Sequence, residues 1–90
     1  MKDIDLDYPI PGDGGTIKQL TMRRCKVRDQ KVAGRTGKTD EERETILFAN
    51  LCSVKPDVID ELDMVDYQKL QETYNSFLSP AQQKSEPPSE

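Results

Sequence analysis

Ninety residues, a third of them charged and none of them His or Trp, leave room for one small domain with a thin core. No run approaches the roughly 18 apolar residues that a membrane-spanning helix needs. The start, MKDIDLDYP, lacks the basic residues and apolar stretch of a secretory signal. Two cysteines, Cys25 and Cys52, without an export signal fit a reducing cytosol. The net charge of −4 is unevenly laid out. Residues 1–17 carry one basic and four acidic side chains, residues 18–38 eight and one, and residues 39–90 four and twelve. A +7 island therefore lies between acidic ends, and any function must say what it meets.

In chain order, IDLDYPI at residues 4–10 sets Ile4, Leu6 and Tyr8 against Asp5 and Asp7, the period of a half-buried strand. Pro9 cannot donate to a ladder, which makes this an edge strand or one that ends there. PGDGG follows as a turn, and TIKQLTMRR at residues 16–24 as a second strand, so residues 4–24 predict a hairpin. KVRDQKVA at residues 26–33 predicts about two turns of helix with Val27 and Val32 inward. Gly34 and Gly37 then make GRTGK a mobile loop. Thr39 opens the next helix with a capping box, TDEE, in which Thr39 and Glu42 satisfy each other's backbone N–H. Ile46, Leu47, Phe48, Ala49 and Leu51 make that helix apolar on more than one side, as befits a central position or a second chain's surface.

Pro56 suits the first turn of a short helix, PDVIDEL, with Val58, Ile59 and Leu62 on one side. The richest apolar stretch runs from Asp63 to Ser79, where Met64, Tyr67, Leu70, Tyr74, Phe77 and Leu78 form one helical stripe. Asp63 is its N-cap, Asp66 adds charge favoured by the helix dipole, and Pro80 is its stop. The last residues, AQQKSEPPSE, are polar and Pro-rich, the composition of a disordered tail over 80–90. The fold class is thus α+β: an N-terminal hairpin, three to four packed helices over 26–79, and one domain spanning 1–79.

No motif carries chemistry. GRTGKT has Val32 where a phosphate loop requires its first Gly. Two thiols without His make neither a zinc site nor an activated nucleophile. Asp60, Asp63 and Asp66 sit at helix starts, where capping explains them. No enzyme activity, cofactor or metal is expected. The rival function is nucleic-acid binding through a basic patch of Arg23, Arg24, Lys26, Arg28, Lys31, Arg35 and Lys38 in residues 23–38. The overall acidity and the lack of a base-reading helix weigh against it.

The segments TIKQLTMRRCKVRD and LCSVKPDVIDELDMVDYQKL, with the acid-capped helix between them, resemble the small tail assembly chaperones of Mu-like and related contractile-tailed phages. The resemblance covers residues 16–78 or so. Residues 34–38 depart from it, being Gly-rich and basic where it implies more helix. It implies a non-enzymatic role in virion morphogenesis: binding the tape measure protein and keeping it soluble in the host cytoplasm, and absence from the finished tail. It also implies a longer frameshifted form of the same chain as a partner. The residues agree independently. Leu47, Phe48, Leu51, Met64, Tyr67, Leu70, Tyr74 and Phe77 are of the types that divide between a core and a groove for an amphipathic helix. The segregated charge favours head-to-tail self-association.

Overall fold

The computed structural model describes residues 1–78. An antiparallel hairpin of β1 (Lys2–Gly12) and β2 (Gly15–Met22) is followed by four helices: α1 (Val27–Thr36), α2 (Asp40–Cys52), α3 (Pro56–Asp60) and α4 (Met64–Leu78). This is the α+β order that the sequence predicts. The stop at Pro80 and the tail over 80–90 lie outside the described residues.

The hairpin closes through Asp13 and Gly14, an Asp-Gly pair that turns a chain tightly, with Gly15 at φ 124°. Its ladder is interrupted: Asp5 pairs with Gln19 and Ile10 with Ile17, so Leu6 to Pro9 face Lys18 alone. Pro9 supplies no N–H for a ladder, so the break falls where the chain has least to lose. Ile4, Leu6 and Ile10 still point inward with Leu20 and Met22. Tyr8, expected on that inner side, is 56% exposed, because it rides on the bulge.

α1 differs from the expectation in both length and facing. The helix runs through Gly34 to Thr36 and ends at Gly37, whose N–H donates to the Ala33 carbonyl at 2.9 Å. Residues 34–36 are thus helical and not part of a loop. The buried residues of α1 are Asp29 and Ala33, four apart, while Val27 is 73% and Val32 37% exposed. The reason is electrostatic. Asp29 accepts two bonds of 2.9 Å from the Arg23 guanidinium and one of 2.8 Å from the Lys26 N–H, which rolls its side of the helix inward.

α2 is the centre of the core and buries Leu47, Phe48, Ala49, Leu51 and Cys52. Thr39 caps it by accepting from the Glu42 N–H at 3.1 Å. Glu42 reaches back one residue further than a capping box requires, to the Lys38 N–H at 2.8 Å. The helix closes with Ser53 in the left-handed region at φ 58° and a Val54 N–H to Ala49 carbonyl bond of 2.9 Å. A bond from the Arg23 N–H to the Leu51 carbonyl, 3.1 Å, ties the end of the hairpin to this helix. Pro56 opens α3, which buries Ile59, and Leu62 follows it into the core.

α4 starts on Asp63, whose carboxylate accepts from the Val65 N–H at 2.9 Å. Its inner line is Asp66, Leu70 and Thr73, flanked by Tyr67, Tyr74 and Phe77. Met64 and Leu78, expected in the inner stripe, are 64% and 54% exposed. The stripe turns about its axis because Asp66 has a partner in the hairpin. Its carboxylate accepts from the Asp7 N–H at 2.8 Å and the Tyr8 N–H at 3.0 Å, the two donors that the bulge frees from the ladder.

Candidate partner-binding surface

The eight apolar residues singled out in the sequence split cleanly by depth. Leu47, Phe48, Leu51 and Leu70 are core residues. Tyr67, Tyr74 and Phe77 pack against that core half-buried, and Met64 stands outside. Phe48 is the hub. The ring centroids of Tyr67 and Tyr74 lie 5.7 and 5.5 Å from its own, tilted at 50° and 55° as aromatic quadrupoles prefer.

Each rim aromatic is held by a polar side chain. The Tyr67 hydroxyl donates to Glu44, whose carboxylate also accepts from the Gln71 amide at 3.1 Å. Burial raises the Tyr67 hydroxyl well above the ordinary tyrosine value, and the Glu44 carboxylate raises it further. Tyr74 accepts from the Gln30 amide. Burial raises its hydroxyl too, with the Cys25 thiol adding to the effect. Arg24 covers the Phe77 ring at 5.5 Å and donates to the Phe77 carbonyl at 3.1 Å. The rim is therefore preorganised. Between α1 and α2 beside Tyr74, a cleft of about 250 Å³ leads down to Leu47 and Phe48.

Beyond the rim, α4 presents Met64 and Val65 at one end, the latter 44% exposed, and Leu78 at the other. Two further grooves open elsewhere. One of about 680 Å³ separates the hairpin tip from α3, with Ile17, Val54 and Val58 in its walls. Another of about 400 Å³ lies between the start of α2 and α3.

The basic patch is less free than its charge suggests. Arg23 is committed to Asp29, whose carboxyl is held well below the usual range by that guanidinium and the Lys26 N–H. Arg24 is committed to Phe77. Lys26, Arg28, Lys31, Arg35 and Lys38 remain exposed, and none has an ion-pair partner among the described residues. Cys52 is buried, which pushes its thiol up to about 11, and Cys25 is half-buried. Among the described residues no helix is long and apolar enough to cross a membrane, and no group of three His, Cys, Asp or Glu side chains is placed to hold a metal.

Glu44, Asp29 and Asp66 position the rim and the helices beneath it, a role that the sequence alone did not point out. Asp66 carried a signal: it sits four residues before Leu70, so a charge shares the innermost line of the helix. Such a placement calls for a partner from another element.

Comparison with known proteins adds one finding. The family described as "Phage tail assembly chaperone proteins, E, or 41 or 14" matches residues 3–79. No curated protein and no solved structure matches the chain.

Proposed function

Because the chain belongs to the phage tail assembly chaperones, we propose that it binds the tape measure protein and keeps that partner soluble during tail morphogenesis. The observation that carries this reading is how α4 distributes its apolar side chains. Leu70 alone of the six in its stripe is fully buried; Met64 and Leu78 are exposed, and Tyr67, Tyr74 and Phe77 form the rim. An apolar helix of the partner gains a fixed aromatic edge and a compliant Met on which to lie. In this reading Leu47, Phe48, Leu51 and Leu70 act from beneath, by holding the rim in place.

The same reading takes residues 1–79 as one working domain, places it in the host cytoplasm and leaves it out of the finished virion. It assigns the chain no reaction. Its other partners are further copies of the chain and a longer frameshifted form that shares these residues. The segregated charge supports the former.

The test is co-expression with the tape measure protein, scoring the soluble fraction of the latter. The native chain is expected to raise that fraction. Met64→Asp combined with Val65→Asp is expected to abolish the rise while leaving circular dichroism and the urea midpoint unchanged, since both side chains are exposed. A partner equally soluble without the chain, or with the double variant, overturns the reading.

A further inference from the structure

Among the described residues, the outer side of α1 is left exposed. Asp29 and Ala33 face inward, and the opposite side presents two adjacent rows, Val27 with Lys31 and Arg28 with Val32, each four residues apart. The two valines are 73% and 37% exposed, and Arg28 and Lys31 lack ion pairs among the described residues. The two valines stand about 140° apart around the axis with Arg28 and Lys31 between them, so this is a cationic face with a valine on either flank.

The groove between α2 and α3 is its counterpart. Ile46 and Pro56 line it with Glu41, Glu42 and Asp60, and no basic residue does. Its surroundings carry the same sign, for residues 40–63 hold eight acidic and two basic side chains. Thr36, at the end of α1, forms part of the groove's own wall, so a chain cannot lay the first turns of its α1 there.

We propose that the Arg28–Lys31 side of α1 in one copy docks into the α2–α3 groove of a second copy, joining copies head to tail. The inference rests on the reading above only in taking self-association as part of the working form. Charge complementarity selects the occupant: the chain holds both the cationic face and the acid-lined groove that complements it. The two patches are different, so the contact is heterologous and leaves an unused patch at each end of every pair. One face of a short helix falls at the small end of protein interfaces, below roughly 1,200 Å² of total buried area, so the association is weak and sensitive to salt.

Sedimentation velocity on the full chain tests this. Association is expected at ~0.05 M salt, where the Debye length is ~14 Å, and dissociation at ~0.5 M. Arg28→Glu with Lys31→Glu, and separately Glu41→Lys with Asp60→Lys, are each expected to weaken association by roughly tenfold or more. An equimolar mixture of the two reversed chains is expected to associate again, because each then meets a complementary surface. Circular dichroism confirms the fold of each variant; should a reversal unfold the chain, Arg28→Gln with Lys31→Gln takes its place with the same expected loss. A monomer at low salt, or association that survives either set of substitutions, overturns the proposal. The Met64 and Val65 substitutions leave both patches intact, so failure here and failure of tape measure binding are told apart.

Discussion

Asp66 has no exposed surface, and its carboxylate closes the largest gap in the hairpin's hydrogen bonding. Burial by itself raises a carboxyl's pKa. Here the N–H groups of Asp7 and Tyr8, with Lys69 at 3.5 Å, outweigh burial and hold the group below its ordinary value. A carboxyl lowered on folding binds fewer protons in the folded chain than in the unfolded one. Its contribution is present in full above the unfolded value of about 4 and is lost as pH falls towards the folded value. Asp29 adds a second contribution of the same sign. Asp66→Asn is expected to cost about 1.5–3 kcal/mol at neutral pH, as the loss of charged hydrogen bonds does. Urea midpoints measured from about pH 7 to about pH 3 should also fall less steeply for the variant than for the native chain. The sequence displays the identity and register of Asp66 but not its donors. Those are backbone groups of a strand 58 and 59 residues away, and a bulge had to release them.

The existence and order of the hairpin and helices follow from period, turn chemistry and caps that the chain displays openly: Asp13-Gly14, Thr39, Pro56 and Asp63. Facing is where local pattern and structure part. Val27, Val32, Met64 and Leu78 read as core by hydropathy, yet buried carboxylates turned α1 and α4 about their axes. The two glycines near the end of α1 show that residue type alone does not end a helix. Gly34 lies within the helix with nothing within 4 Å of where a Cβ would stand, whereas a Cβ on Gly37 would meet the Arg43 N at 2.7 Å. Gly34→Ala is therefore expected to stabilise by about 0.5–1 kcal/mol, raising Tm by several degrees. Gly37→Ala is expected to lower it, because the colliding atom is backbone. Thermal unfolding of the two variants side by side checks both signs.

Taken whole, the described residues have a core drawn from every element, and the largest of its fully buried side chains, Phe48, Met22, Leu51, Leu70 and Asp66, come from α2, β2 and α4. The depth of each candidate partner residue was not legible in the sequence, because it depends on how three elements meet around Phe48. A chain ending at Leu62 keeps the hairpin and three helices but loses Asp66 and Leu70. Urea titration is expected to find no cooperative transition in it, whereas a chain ending at Leu78 should retain one. The bond from Asp66 to the seventh and eighth residues has a further consequence on the ribosome. Synthesis delivers the hairpin first, yet the carboxylate that fastens it follows 59 and 58 residues after its two donors. Until then Ile4, Leu6 and Ile10 have no α4 to cover them, so the newborn chain itself passes through an interval of exposed grease.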